Sequence, residues 1–241
     1  MTGRTVLITG ANKSIGYETA RQLGRLGYRI WLGSRDAERG EVAAGRLRAE
    51  GHDVRVLPID VTRDPSVHDA AARVQKEDGK LDVLINNAGI SGEQRTVPSQ
   101  QSVDDVRQVY DTNVFGPIRV TQAFLPLLTS ARNANIVMVS SGLGSLGWLS
   151  DPANKFYGVN VLGYNTSKTA LNAVTVSFAK ELASKGIKVN AADPGYTATD
   201  FNGHTGYRTV EQAAAGIVRL ATLDTSGPTG GFFFEDERVP W

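Results

Sequence analysis

Tyr164 and Lys168 stand four positions apart in the segment Tyr-Asn-Thr-Ser-Lys. On a helix, positions i and i+4 share a face, so a phenol and an ammonium at this spacing can reach one ligand. A free tyrosine, with a pKa of about 10, is a poor acid or base at neutral pH. A neighbouring cation stabilises the phenolate and lowers that value. The pair therefore has the makings of a tuned proton donor and acceptor. The same spacing also occurs on ordinary solvated helix faces, so its meaning depends on what the rest of the chain gathers around it.

The elements that must position the pair show as short apolar runs alternating with longer amphipathic stretches. The runs predict strands at 5–9, 29–33, 53–59, 81–85, 135–140, 187–191 and 231–234. Helical patterns follow the first run to about residue 26, then cover 36–50, 64–78, 102–113, 116–130, 164–184 and 209–222, with Pro65 suited to a first helical turn. This alternation predicts an α/β fold, with a mostly parallel sheet covered on both faces. No linker, repeat or low-complexity stretch divides residues 1–241, which reads as one doubly wound domain. The least regular stretches are 90–101 and 142–163, and loops are where function tends to sit.

Between the first strand and first helix lies Thr9-Gly-Ala-Asn-Lys-Ser-Ile-Gly16, the place where a dinucleotide-binding turn belongs. Gly10 permits a tight turn, Gly16 permits close helix packing, and Asn12, Lys13, Ser14 and Ile15 lie between them. The helix N-terminus offers N–H groups and positive dipole to a pyrophosphate. An ordinary strand-to-helix turn is the alternative. The second strand ends in Ser34-Arg35-Asp36, facing the adenine ribose in this architecture. Arg35 would bind a 2′-phosphate, with Ser34 adding a hydrogen bond and Lys13 a second charge. Asp36 reads as the N-cap of the next helix.

Further motifs follow in order, and together they resemble the classical short-chain dehydrogenase/reductase family over essentially the whole chain. Thr9-Gly10 with Gly16 resembles its TGxxxGxG turn. Asp60-Val61 resembles its adenine-contacting acid. Asn86-Asn87-Ala88-Gly89 resembles its NNAG motif, and Asn113 its helix asparagine. Ser140-Ser141 closes strand five, Tyr164 and Lys168 match YxxxK, and Pro194-Gly195 follows strand six, with Thr197 and Thr199 beyond. The segments Gly-Ala-Asn-Lys with Ile-Gly-Tyr-Glu-Thr-Ala, Gly-Ser-Arg-Asp-Ala-Glu-Arg-Gly, and the ending Pro-Thr-Gly-Gly-Phe…Pro-Trp look most like the carbonyl-reductase-like group.

The resemblance implies a Rossmann domain with a seven-stranded sheet in the order 3-2-1-4-5-6-7. It implies NADPH/NADP+ as cofactor in preference to NADH/NAD+, and reduction of a carbonyl compound. Tyr164 would be the general acid, Ser141 would hold the carbonyl oxygen, and Lys168 would lower the tyrosine pKa and bind the nicotinamide ribose. Asn113 would hold a water linking Lys168 to solvent. Two departures stand out. Ser14 occupies the position of the family's middle Gly or Ala, and 22 residues separate Ser141 from Tyr164, more than the common spacing. The added segment, 142–163, is expected to wall the substrate pocket. Candidates for the lining are Ser141, Gly142, Leu143, Trp148, Phe156, Tyr157, Tyr196 and Phe201, which would suit a hydrophobic, aryl-bearing ketone. An NAD-dependent alcohol dehydrogenase working in oxidation and a non-catalytic dinucleotide-binding sensor remain as alternatives. The stretch after Gly195 is too short for the second domain of an epimerase.

Composition removes other classes. With 26 basic and 25 acidic residues, the net charge is +1, which gives no nucleic-acid footprint or membrane-binding face. The absence of cysteine excludes disulfides and thiolate sites and suits a reducing cytoplasm. His52, His68 and His204 are scattered singly and read as surface residues, so no metal site is expected. The N-terminal Met1-Thr-Gly-Arg runs straight into an apolar strand without a leader pattern, and no apolar run approaches the roughly 20 residues that span a bilayer. Family habit suggests a homodimer or homotetramer, while the added segment leaves a monomer open.

Overall fold

The computed structural model describes residues 3–94 and 96–241. The leaderless reading of Met1 and Thr2 falls outside them. Alternation of strand and helix holds throughout: β1 (Thr5–Ile8), α1 (Ser14–Arg25), β2 (Arg29–Ser34), α2 (Ala37–Ala49), β3 (Val54–Pro58), α3 (Asp64–Glu77), β4 (Val83–Asn86), α4 (Val103–Tyr110), α5 (Gly116–Thr129) and β5 (Asn135–Val139). A short helix α6 (Leu146–Leu149) interrupts the long connection to α7 (Leu162–Leu182). Then come β6 (Lys188–Asp193), α8 (Val210–Ala221), β7 (Phe232–Phe234) and β8 (Glu237–Arg238).

The sheet has the order β3-β2-β1-β4-β5-β6-β7-β8, parallel from β3 to β7. The expected seven-stranded order is therefore present, with one correction: an eighth strand, β8, pairs antiparallel with β7 through Phe233↔Arg238 and Phe234↔Glu237. Glu235, at φ +53°, turns the chain back. A Glu-Asp pair carries none of the Asn-Gly signal that marks a hairpin turn in sequence.

Successive strand residues face opposite sides. Val6 and Ile8 of β1, with Val83 and Ile85 of β4, pack under Leu23 of α1, Leu47 of α2 and Ile217 of α8. Leu7 and Leu84 face the other way, against Val74 of α3, Phe124 of α5 and Leu171 of α7. Asp36 caps α2 by accepting the Arg39 N–H at 3.0 Å, as expected. His52 departs from its surface reading: its ring packs on Gly24 of α1 and its Nε2 is buried. The break foreseen between 102–113 and 116–130 is instead a π turn, Asp111–Phe115, in one continuous helix. Gly116 N–H donates to Asp111 C=O, five residues back, and Pro117 beside it has no N–H for the ordinary ladder. No described helix is long and apolar enough to cross a membrane.

Candidate active site

Strand order reverses between β1 and β4, and an open α/β sheet binds its ligand in the crevice beyond such a switch point. The loops there are knitted together. Thr9 Oγ1 accepts the N–H groups of Asn87 and Ala88, each at 3.0 Å. Asn87 Nδ2 donates to Thr9 C=O at 2.8 Å and to Gly10 C=O at 3.2 Å. Gly16 packs so closely that a Cβ would lie 2.5 Å from Asn87 Nδ2, and Gly10 turns at φ +63°. Ser14 adopts φ +52° at the start of α1.

This turn fits a dinucleotide phosphate. The N-terminus of α1 has no side-chain cap and no acidic residue in its first turn, whereas α2 and α8 are capped by Asp36 and Thr209. Its N–H groups and dipole are left for an anion. Beside it, Asn12, Lys13, Asp36, Arg39, Arg46 and Asp200 line a cavity of about 600 Å³. Neither Tyr164 nor Ser141 lines this cavity, which lies at the phosphate-turn end.

The expected 2′-phosphate group is partly rearranged. Arg35 is exposed and has no ion-pair partner among the described residues. Ser34 is buried, and its hydroxyl donates to Asp36 C=O at 2.6 Å, so it braces the β2–α2 turn and is not free to meet a phosphate. Lys13 Nζ is bound to Asp200. Asp60 Oδ1 accepts from the Thr62 hydroxyl at 2.7 Å and its N–H at 3.0 Å. Burial raises the Asp60 carboxyl, but these bonds and the charges of Arg35 and Arg63 outweigh it and leave the group below its usual range. Val61, next to it, is buried.

The catalytic candidates converge on α7. Lys168 is buried, and its Nζ donates to Val139 C=O at the end of β5 at 2.8 Å. Nζ stands 5.6 Å from the Tyr164 ring centroid. Packing separates the two serines after β5. Ser140 is buried and donates to Asn172 Oδ1 at 2.6 Å, while the Ser141 hydroxyl lies near enough to the Tyr164 phenol to lower its pKa. Burial pushes the Tyr164 phenol up to about 12. Ser141 opposes this, and the Asp193 charge adds to it. Burial pulls the Lys168 ammonium down to about 8, with Asp193 opposing. Loss of solvent is the largest influence on the Tyr164 phenol, and it acts in the direction opposite to that of a neighbouring cation.

Asn113 is fully buried in the π turn. Ile90 N–H donates to its Oδ1 at 2.9 Å, and its Nδ2 donates to Ile90 C=O at 2.8 Å and to Ser167 Oγ at 3.0 Å. Both amide hydrogens are spent on fastening the loop after β4 to α7, so they are not free for a water relay. Gly89 lies alongside, where a Cβ would be 3.3 Å from Asn113 Oδ1 and 3.7 Å from Lys168 Nζ.

The pocket candidates divide. Phe201 sets its ring 5.6 Å from that of Tyr164. Phe156 packs on Gly142, and Leu143 N–H donates to Ser141 Oγ at 3.2 Å. Trp148 turns away to pack with Phe232 and Val239 beside β7, touching Phe156 at 5.4 Å between centroids. Tyr157 is exposed, and Tyr196 bonds Thr205 through its hydroxyl, so neither is drawn into the centre. Thr197 donates to Pro194 and Gly195 carbonyls, and Thr199 caps the following turn. Sequence reasoning missed Asp193 and Asp200. Nothing local signalled the first, since β6 also carries Lys188 and Asn190.

Comparison with known proteins follows the same lines. The short chain dehydrogenase family model matches residues 4–208. A short-chain dehydrogenase of Penicillium roqueforti is 36% identical over 97% of this chain and 94% of its own length. The (+)-neomenthol dehydrogenase of Arabidopsis thaliana is 32% identical over 99% of this chain and 98% of its own. The NADPH-bound carbonyl reductase from chicken fatty liver has a TM-score of 0.87 at 29% identity, covering 100% of both chains. With ordered motifs, sheet topology and sequence matches in agreement, the chain belongs to the classical short-chain dehydrogenase/reductase family of oxidoreductases.

Proposed function

We propose that this protein is an NADPH-dependent reductase of hydrophobic ketones or aldehydes, giving secondary or primary alcohols. The observation that carries the reading is the geometry on α7, where buried Lys168 donates to Val139 C=O and holds its Nζ 5.6 Å from the Tyr164 ring, beside the Ser141 turn. NADPH, when bound, supplies the hydride. As charge grows on the carbonyl oxygen, Ser141 donates a hydrogen bond to it and Tyr164 delivers a proton to it. Lys168 fixes the end of β5 through Val139 and offers positive charge to the phenolate that remains. Asn113 acts as a positioning residue through Ile90 and Ser167. Phe201, Phe156 and Leu143 supply an apolar wall, which favours a ring-bearing ketone. The relatives named for neomenthol and carbonyl compounds support the same class. Arg35 and Lys13 supply the charges for a 2′-phosphate. One domain spans the chain in this reading, with 142–163 beside the substrate.

The test follows loss of reduced-nicotinamide absorbance with NADPH and NADH in parallel, over cyclic aliphatic and aryl ketones. Ketone-dependent consumption favouring NADPH is expected. Tyr164→Phe should lower kcat by at least about 100-fold and leave NADPH binding intact. Turnover retained in that variant would remove Tyr164 from the chemistry.

A further inference from the structure

Asp193 has no part in the chemistry above, yet it ends β6 beside the site and is only 7% exposed. A carboxylate buried to that degree requires partners. Gly195 N–H donates to its Oδ1 at 2.9 Å, and Gly142 lies against its other oxygen. The approach to Gly142 is close enough that a Cβ there would sit 2.9 Å from Asp193 Oδ2 and 2.7 Å from Phe156 Cε2. One side chain thus joins the turn that carries Ser141 to the Pro194-Gly195 turn.

The charged and titratable groups around it come from three elements. Lys155, in the 142–163 segment, is exposed and lies 5.0 Å over the Phe156 ring. Arg208, ahead of α8, is paired with Glu235 at 2.7 Å. Lys168 and Tyr164, on α7, both feel the Asp193 charge. Burial pushes the Asp193 carboxyl up, while the backbone of Gly195 and Gly142, Lys155 and Arg208 oppose the rise.

We propose that Asp193 is a positioning residue of this active site: its carboxyl group braces the Ser141-Gly142 turn against Pro194-Gly195 and, when ionised, sets a negative charge near Lys168 and Tyr164. The brace aims the Ser141 hydroxyl. The charge favours the ammonium form of Lys168 and so opposes the effect of its burial. This rests on the ketone-reductase reading for its catalytic meaning, but the charge can be read without any substrate.

The experiment uses protein carrying 13Cε-lysine, with the Lys168 resonance assigned by its loss in Lys168→Arg. Asp193→Asn keeps the size of the side chain and removes its charge. Its Lys168 titration midpoint is expected to fall by about one unit. The kcat for ketone reduction is expected to fall at least about tenfold, with NADPH affinity changed less than about threefold. A midpoint that stays within roughly 0.3 unit of the parent, or an unchanged kcat, overturns the proposal. Should the Asn variant not fold, Asp193→Ser, which demands no second acceptor, is read in the same way. If the parent protein turns over no ketone, the proposed function falls, and the Lys168 midpoint alone decides on Asp193.

Discussion

Lys13 Nζ donates to Asp200 Oδ2 at 2.8 Å, joining the phosphate turn to the loop after β6 across 187 positions of sequence. His204 bonds the same carboxylate at 2.9 Å. Lys13 first, then His204, holds the Asp200 carboxyl below its usual range. Lys13 cannot give the same charge fully to Asp200 and to a 2′-phosphate. Asp200→Asn should therefore lower the KM for NADPH by about three- to fivefold, leave that for NADH unchanged, and strengthen the salt dependence of the NADPH KM. Initial rates with both cofactors at fixed ketone check this. An equal shift for both would show that Asp200 acts on the loop and not on Lys13.

Phe201, next to Asp200, packs its ring against that of Tyr164. Phe201→Ala should raise the KM for a ring-bearing ketone by about tenfold, the worth of a partly lost apolar contact, with NADPH affinity unaltered. Fluorescence titration with NADPH, set beside ketone saturation curves, separates the two effects.

Lys168 makes folding stability depend on alkaline pH. The unfolded chain keeps this proton up to about 10.5, whereas the folded protein releases it near 8. Between those values the unfolded state binds more protons, so this group's contribution to stability rises with pH. Below 8 the folded state bears the whole cost of a buried charge. Lys168→Met should thus stabilise the protein at pH 7 by about 1 kcal/mol, the gain being trimmed by the unpaired Val139 carbonyl. The same variant should be nearly inactive. Chemical denaturation of both proteins at pH 7, 9 and 10 should show the difference shrinking as pH rises.

Ser14 stands where glycine would be at ease. Its φ of +52° costs a residue with a Cβ about 1 kcal/mol. Ser14→Gly should raise stability by about that amount, or the melting midpoint by about 2–4 °C. Calorimetry checks it, and no gain would mean that the serine hydroxyl repays the strain.

The strands were legible because each buried parallel strand reads as a short apolar run between amphipathic helices, while their order came only with the family resemblance. The final hairpin was not, since Glu235-Asp236 reaches its turn without the residues that normally mark one. Tyr164 and Lys168 stood out by their spacing, but only the ordered motifs around them gave that spacing a meaning. The division of labour between Ser140 and Ser141 was hidden, because adjacent serines differ only in which one meets Asn172. Pairs such as Lys13–Asp200 and Asp193–Gly142 join distant parts of the chain, and no local pattern announces them. The direction of the Tyr164 shift also escaped, because a cation four residues away is obvious in sequence while the loss of water is not. His52 failed for the same reason: its cover comes from Gly24 on another element.

The π turn at Asp111–Phe115 works as a change of frame within one helix. One added residue rotates everything beyond it by about 100°. Upstream, Val109 faces the core; downstream, Val120, Phe124 and Leu128 must meet the sheet, while Asn113 between them points to Ile90. Deleting a single residue from this stretch would give a smoother helix with its apolar stripe turned off the sheet and its asparagine carried out of reach. Irregular backbone here lets one rod keep two appointments, with the sheet on one side and the loop after β4 on the other.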